Sequence, residues 1–192
     1  MGISSSGLGP ADQQLVSKLG PEIIRALRKA SAELTAGDAR SSAWFGDASN
    51  AWIQQVKQNL HRMASVINIQ RIDVHGSQWK QRSKGTSAAA HQPASGWRDN
   101  TAVVGNTGFI TRSQNQGFNI ELDIAWNRSP TYKTSANLDS KFEILVHELT
   151  HLILDTEDEA YGKTKCHALA TTSPARAKKN ADSWGYFIEE FR

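Results

Sequence analysis

The chain has 192 residues, the size of one domain that can bury a hydrophobic core, so we expect a single domain over residues 1–192. Its 39% hydrophobic and 21% charged residues are typical of a soluble globular protein and argue against a disordered chain. The net charge of +3, with basic residues in short interrupted runs, predicts no nucleic-acid binding. No apolar run approaches about 20 residues, which predicts no membrane insertion.

The N-terminal part of the sequence predicts helices. Asp12–Leu19 is a short candidate, and Pro21 opens a second segment with apolar residues at helical spacing. Residues 1–20 are a candidate flexible N-terminal segment. Ser49 or Asp47 caps a longer helix. The apolar stripe of that helix consists of Trp52, Val56, Leu60, Met63 and Ile67.

The middle of the sequence predicts β-strands. Gln70–Val74 predicts one strand, and Thr101–Val104 with Phe109–Arg112 predicts a hairpin. Phe118–Trp126 alternates apolar and polar residues, which indicates a strand with one buried face. Residues 77–100 are polar and are expected to form a long polar loop.

The strongest chemical signal is the run His147-Glu148-Leu149-Thr150-His151, the HExxH pattern of hydrolytic zinc sites. On a helix the two histidines lie about 40° apart and one turn along the same face, so both imidazoles can bind one ion. Glu148 projects beside that face, where a general base must be placed. The other side of this helix is apolar, which predicts that it packs on the core while the histidines face a cleft.

A zinc ion that activates water requires a third protein ligand, and the residues after the motif limit the candidates. A metzincin would have glycine and histidine where Leu154 and Glu157 stand, so that class is excluded. A thermolysin-like enzyme would take a glutamate from a later helix, where Glu189 and Glu190 are the candidates.

The segment Thr156-Glu157-Asp158-Glu159 offers another candidate ligand. Its threonine and final glutamate have capping-box spacing, which predicts that a new helix begins there. That helix would carry Asp158 and Tyr161 three residues apart on one face. Asp158 could then bind the metal while Tyr161 points inward beside it.

The remaining elements complete the predicted fold. Asp139 or Ser140 caps the zinc-binding helix, and Ser173-Pro174 opens the last helix. The buried stripe of that last helix consists of Ala177, Ala181, Trp184, Ile188 and Phe191. The fold class is α+β, mostly helical, with a small and largely antiparallel sheet next to the HExxH helix.

With residues 147–151 followed by Thr156-Glu157-Asp158-Glu159-Ala160-Tyr161-Gly162, the chain resembles the aspzincin metallopeptidases, the family of deuterolysin and the fungal lysine-specific endopeptidases. The family signature after the two histidines is Gly-Thr-x-Asp-x-x-Tyr-Gly, and its first glycine is replaced here by Asp155. Trp44-Phe45-Gly46 and Asn180-Ala181-Asp182-Ser183 extend the resemblance. It implies a zincin-like metallopeptidase domain.

The resemblance also implies the roles of the site residues. The implied ligands of a single zinc ion are His147, His151 and Asp158. Glu148 is the implied general base, and Tyr161 is the implied donor to the oxyanion that forms on the scissile carbonyl.

The resemblance is less complete for substrate binding. In the lysine-specific members, an aspartate and a glutamate three residues later bind a lysine side chain. Asp182 occupies the first position here and is our candidate substrate-binding residue, but Gly185 replaces the glutamate, so strict lysine selectivity is not expected. Thr156 is expected to contact a metal ligand rather than the metal.

We therefore expect a zinc-dependent endopeptidase of aspzincin type that acts on protein or peptide substrates. One alternative is a peptidoglycan cross-link hydrolase that uses the same zinc site. An alternative of another class is a catalytically inactive, zinc-stabilised binding module, although a structural zinc has a fourth protein ligand instead of an open position.

The sequence also gives expectations about location and partners. The only cysteine, Cys166, excludes an intrachain disulfide and suggests folding in a reducing cytoplasm. Residues 1–10 lack the charged and apolar regions of a signal peptide. By resemblance to bacterial members of this kind, we expect a protein made in the cytoplasm and exported by a specialised secretion system as an effector or toxin. Secretion machinery and an immunity protein are then its candidate partners.

Overall fold

The computed structural model describes residues 2–76, 88–91, 102–104, 109–111, 118–122, 124–133 and 138–192. The helices are α1 Pro10–Glu33, α2 Ala39–Phe45, α3 Asn50–Ile69, α4 Lys141–Leu154, α5 Lys163–Thr172, α6 Pro174–Ala177 and α7 Ala181–Glu189. The strands are β1 Gly2–Ser6, β2 Arg71–Gly76, β3 Ala88–His91, β4 Ala102–Val104, β5 Phe109–Thr111 and β6 Phe118–Leu122, and a 3₁₀ turn covers Ile124–Arg128. The α+β class and the predominance of helix are confirmed.

The main sheet has four strands in the order β1-β2-β6-β3. The pairs β1-β2 and β2-β6 are parallel, and only β6-β3 is antiparallel. The expectation of a largely antiparallel sheet was therefore wrong. Parallel neighbouring strands require long connections. Here three helices separate β1 from β2, and residues 77–117 separate β2 from β6. The predicted hairpin is present as the antiparallel pair β4-β5, although its turn lies outside the described residues.

The N-terminal segment differs from its prediction in two ways. Residues 2–6 form β1, and α1 then runs as one helix through Pro21, where two separate segments were expected. Proline inside a helix forfeits one hydrogen bond. The burial of a continuous stripe that includes Val16, Leu19 and Ile23, each 0% exposed, offsets that loss.

Three further boundaries were read from the sequence. Ser49 caps α3 as expected, because its hydroxyl accepts a hydrogen bond from the Trp52 amide. The predicted strand over Phe118–Trp126 stops at Leu122, and Trp126 is buried in the 3₁₀ turn instead. Residues 77–100 are not entirely loop because β3 lies within them, and the rest of that segment is outside the described residues.

Helix α4 lies at the centre of the molecule. It packs against α7, α3 and β3, and its residues Leu145, Leu149 and Leu152 are fully buried. The neighbouring core is aromatic, with Phe45 packed on Trp184 and Phe187 at ring-centroid distances of 4.8 and 5.0 Å. This packing fixes the helix that carries both histidines. Within the described part of the chain, no helix combines the length and apolar character needed to cross a bilayer.

Candidate metal centre

The site begins with the two ends of α4. Ser140 caps its N-terminus by accepting a hydrogen bond from the Glu143 amide at 3.0 Å. At the other end, Asp155 has φ 58° and ψ 44°, the left-handed conformation that ends many helices. Aspartate tolerates this conformation better than most residues. Asp155 can therefore stand where the resembling family has glycine and still turn the chain back towards the histidines.

The segment after Asp155 is a loop and not the helix that the capping-box spacing predicted. The Glu157 amide donates to the Lys179 carbonyl at 2.8 Å, and the Ala181 amide donates to the Glu157 carbonyl at 3.0 Å. The side chain of Asn180 accepts hydrogen bonds from the amides of Glu159 and Ala160, both at 2.9 Å. These backbone groups of the loop are therefore satisfied by residues 179–181 and not by hydrogen bonds within a helix.

This loop brings Asp158 to the two histidines. The Nε2 atoms of His147 and His151 are 3.0 Å apart, and Asp158 Oδ1 lies 3.2 Å from the first and 3.1 Å from the second. Ligands held 2.0–2.1 Å from a tetrahedral zinc ion lie about 3.3 Å from one another. Two imidazole nitrogens and one carboxylate oxygen in this triangle therefore fit a catalytic zinc ion.

The outer nitrogens of both imidazoles have acceptors. The Nδ1–H of His151 donates to the Thr156 carbonyl at 2.8 Å, and that of His147 donates to Asp182 Oδ1 at 2.6 Å. Because a carbonyl only accepts, the proton of His151 is placed on Nδ1 and the Nε2 lone pair is left for a metal. Thr156 thus lies beside a candidate ligand.

Asp182, the candidate substrate-binding residue, lies next to a candidate metal ligand. It is 4% exposed, and its second oxygen accepts a hydrogen bond from the Gly162 amide at 2.7 Å. Both carboxylate oxygens are therefore used inside the protein, by His147 and by the loop. Asp182 thereby orients a candidate metal ligand, and its contact with a substrate side chain stays a prediction.

The charges of the three candidate ligands depend on one another. Burial by itself would lower the pKa of His147, but hydrogen bonds to Asp158 and Asp182 outweigh it and hold that pKa well above 6.5. Partial burial opposes ionisation of Asp158, yet the two histidines hold its pKa far below the usual range. Asp158 is therefore a carboxylate at neutral pH, as metal binding requires.

Glu148 and Tyr161 lie next to the triangle. Glu148 is 4% exposed, and its Oε1 is 3.9 Å from His147 Nε2. The ring of Tyr161 stacks on the ring of His147 with a centroid distance of 6.4 Å, while 58% of the tyrosine is exposed. Partial burial and the nearby Asp158 carboxylate raise the pKa of Tyr161, so its hydroxyl remains a donor.

The thermolysin-like alternative fails because both late glutamates are engaged elsewhere. Glu189 accepts hydrogen bonds from the Ser140 hydroxyl at 2.5 Å and the Lys133 amide at 2.7 Å. Glu190 accepts one from the Trp44 indole at 2.8 Å. Neither carboxylate is part of the donor triangle.

Sequence reasoning missed a group of polar residues behind the site. Glu143 is fully buried one turn before His147, and its carboxylate oxygen, Asp182 and the outer side of His147 lie within 4.8 Å of one another. Tyr186 donates a hydrogen bond to Asp139 nearby. The helical spacing of Glu143 and His147 was visible in the sequence, but the polar face it creates resembled an ordinary first helical turn.

A pocket of about 200 Å³ has Tyr161, whose ring stacks on His147, among its lining residues. Its lining residues are Tyr161, Gly162, Lys163, Thr164, Lys165 and Tyr186. One lining residue, Gly162, donates its amide hydrogen to Asp182.

The fold and this donor set define the class of the protein as a zinc metallopeptidase. The structure resembles a zinc peptidase from Grifola frondosa with a TM-score of 0.66 and 23% identity, over 95% of this chain and 97% of that one. A family model for aspzincins, described as lysine-specific metallo-endopeptidase, matches residues 30–189. The chain therefore belongs to the aspzincin family of zinc metalloendopeptidases.

Sequence relatives match over shorter segments. A peptidyl-Lys metalloendopeptidase of Armillaria mellea is 41% identical over 58 residues, which are 29% of this chain and 16% of that protein. An extracellular protease of Aeromonas hydrophila is 42% identical over 53 residues, 27% of this chain and 15% of that protein. The chain thus matches about one sixth of the length of these curated relatives.

Proposed function

We propose that this protein is a zinc-dependent endopeptidase that hydrolyses peptide bonds within protein or peptide substrates, with residues 1–192 acting as one metallopeptidase domain. The observation that carries this proposal is the triangle of His147 Nε2, His151 Nε2 and Asp158 Oδ1, with sides of 3.0–3.2 Å. These residues would hold one zinc ion and leave a position for water.

In the proposed mechanism, Glu148 is the general base. When bound, zinc supplies Lewis acidity that lowers the pKa of a water to about 7 and polarises the scissile carbonyl. Glu148 is buried beside the ligands, so its carboxylate can take a proton from the attacking water and deliver it to the leaving amine. Asp182 and Thr156 keep the imidazoles in the tautomer and orientation that the ligands need.

Tyr161 is the proposed donor to the developing oxyanion. Its hydroxyl stays protonated because of the raised pKa, and its ring is positioned by stacking on His147. An added hydrogen bond to the oxyanion would lower the barrier by about 3–4 kcal/mol, as in other oxyanion sites. The exposed edge of Tyr161 leaves room for a polypeptide to approach.

We also propose that the enzyme acts after export by a specialised secretion system and that a dedicated immunity protein inhibits it before export. Two observations support this idea: the single cysteine allows folding without a disulfide, and one relative is called an extracellular protease. Co-purification of a neutral or acidic protein that blocks cleavage would support the proposal, and activity that harms the producing cell under full expression would contradict it.

The test of the proposed function combines metal analysis with digestion. We expect about one zinc per chain, cleavage of a denatured proteome, and loss of cleavage with a chelator. Glu148→Gln should keep its zinc and lose at least about 100-fold in rate. Cleavage that continues in zinc-free protein would refute the proposal. Cleavage restricted to intact sacculi would favour the peptidoglycan hydrolase, and zinc without hydrolysis of any substrate would favour the binding module.

A further inference from the structure

Two lysine side chains line the pocket that has Tyr161 in its wall. Lys163 and Lys165 are lining residues, and among the described residues no acid lines the pocket. Its volume of about 200 Å³ is below the roughly 300–1,000 Å³ typical of small-molecule sites. The occupant that fits is therefore one side chain of a bound polypeptide.

The two ammonium groups have no acidic partner. Within the part of the chain that the structure describes, neither Lys163 nor Lys165 forms an ion pair with a carboxylate, whereas Lys178 has one at 2.7 Å. The ammonium of Lys163 lies 5.6 Å from the centre of the Tyr186 ring, which is another wall of the pocket. This cation–π contact holds a positive charge at the pocket wall.

The acids behind the pocket face the protein interior. Both oxygens of Asp182 are bonded, one to His147 and the other to the Gly162 amide. Glu143 is 1% exposed, and a Cβ atom added to Gly185 would overlap its carboxyl group, so Glu143 points at α7. Neither acid is a lining residue. A group that enters the pocket therefore meets the lysines and not these carboxylates.

Asp139 is the third acid nearby, and it balances part of the Lys163 charge. Burial raises the pKa of Asp139, while the hydrogen bond from Tyr186 and the charge of Lys163 oppose that rise. No described carboxylate is paired with Lys165 in this way. The pocket wall therefore keeps a positive potential, which favours a negative group over a neutral group of the same shape.

We propose that Lys163 and Lys165 are specificity-determining residues that bind an acidic side chain, glutamate or aspartate, of a substrate residue next to the cleaved bond. This inference rests on the proposed endopeptidase function and names its substrate class. The link to the cleaved bond is Tyr161, which lines the pocket and whose ring stacks on His147. A glutamate carboxylate accepts charge-assisted hydrogen bonds from ammonium groups, whereas glutamine has the same shape without the charge.

The test uses two series of matched peptides in which the residue before or after the cleaved bond is glutamate, aspartate, glutamine or lysine. In at least one series, zinc-loaded wild type should have a kcat/KM for glutamate at least about fivefold above that for glutamine. This ratio should fall towards one as ionic strength rises, because salt screens charges near the surface. Zinc stoichiometry and thermal denaturation are recorded for every protein.

Substitutions of the two lysines test their role in this preference. Lys163→Met and Lys165→Met remove the charge and keep an apolar chain, and each should lower the glutamate-to-glutamine ratio. The double variant should bring the ratio to within about twofold of one. Replacement of both lysines by arginine should keep the preference, because the positive charges remain. The matched control is Lys29→Met, which removes the same charge from α1 outside the pocket lining and should keep the wild-type ratio.

A charge reversal gives a result that a purely structural role does not predict. The double variant Lys163→Glu/Lys165→Glu should cleave the lysine peptide faster than the glutamate peptide. A general defect of folding or zinc binding would lower both rates and leave their ratio unchanged.

The outcomes separate this inference from the proposed function. Wild type that binds zinc and cleaves no peptide refutes the endopeptidase and the inference together. Wild type that cleaves the glutamate and glutamine peptides equally in both series, or that prefers lysine, refutes the inference alone. An unchanged glutamate-to-glutamine ratio in the double methionine variant refutes it as well, and so does a ratio that Lys29→Met lowers equally.

Discussion

Asn180 is expected to hold the loop that carries Asp158, and Asn180→Ala tests this. The side chain is 0% exposed and accepts hydrogen bonds from the Glu159 and Ala160 amides at 2.9 Å each, while its amide donates to Ser183 at 3.0 Å. The same amide also donates weakly to Cys166 Sγ at 3.3 Å. The three hydrogen bonds to the loop amides and Ser183, at about 1 kcal/mol each, make a loss of about 3 kcal/mol in the free energy of unfolding. For a protein of this size, that loss lowers the Tm by roughly 6–12 °C.

The same variant should weaken zinc binding. Asp158 immediately precedes Glu159, so a loop that is no longer tied to Asn180 must be ordered when the metal binds. If ordering the loop costs about 1.4 kcal/mol of the free energy of zinc binding, zinc affinity falls about tenfold. Competition with a chromogenic chelator measures this affinity, and thermal denaturation of the zinc-free protein measures stability.

Ser183→Ala is the matched control for this experiment. It removes the hydrogen bond at the other end of the same amide and leaves both loop amides with their acceptor. We expect it to lose about 1 kcal/mol of stability and to keep wild-type zinc affinity. Zinc affinity of Asn180→Ala within twofold of wild type, despite the lost stability, would refute the reasoning that this loop positions the third ligand.

Three further predictions follow from the structure. Asp158→Ala should release zinc in equilibrium dialysis, and stoichiometric zinc would show that the third ligand lies elsewhere. Tyr161→Phe should keep zinc and lower kcat by about 100- to 1,000-fold, whereas an unchanged kcat would exclude the phenol from catalysis. The ammonium of Lys178 bonds to Asp47 at 2.7 Å and, together with hydrogen bonds from Ser49, lowers the pKa of Asp47 from 3.8 to about 2. Since a lowered carboxyl pKa stabilises the fold above the unfolded value, Lys178→Met should cost about 1 kcal/mol at pH 7, and the difference in denaturant unfolding should disappear as pH falls from 5 towards 2. A loss of stability in Lys178→Met that does not change with pH would contradict this prediction.

The local parts of the fold could be predicted from the sequence. Ser140 and Ser49 cap their helices as expected, since capping depends on a few consecutive residues. The strand pairing was not predictable in the same way. The parallel partners of β2 lie far away along the chain, and no periodicity records which distant strand a strand will meet.

The capping-box error shows how tertiary contacts override local spacing. Thr156 and Glu159 have the sequence of a helix start, yet Thr156 bonds to Thr150 at 2.8 Å and the following amides bond to Asn180 and Lys179. The loop gains more from these contacts than one helical turn could supply. Asp158 consequently approaches the histidines from an irregular segment and not from a helix face.

The sequence by itself determined the two histidines and the adjacent glutamate, because a helix of 3.6 residues per turn places positions 147 and 151 on one face wherever that helix lies. The resemblance carried by residues 156–162 indicated the carboxylate that joins them. Only the tertiary structure decided that Asp182 faces His147 and that Glu143 fills the space left by Gly185. These contacts join α4 to α7 across the core, and contacts between distant segments depend on packing that a one-dimensional pattern does not contain.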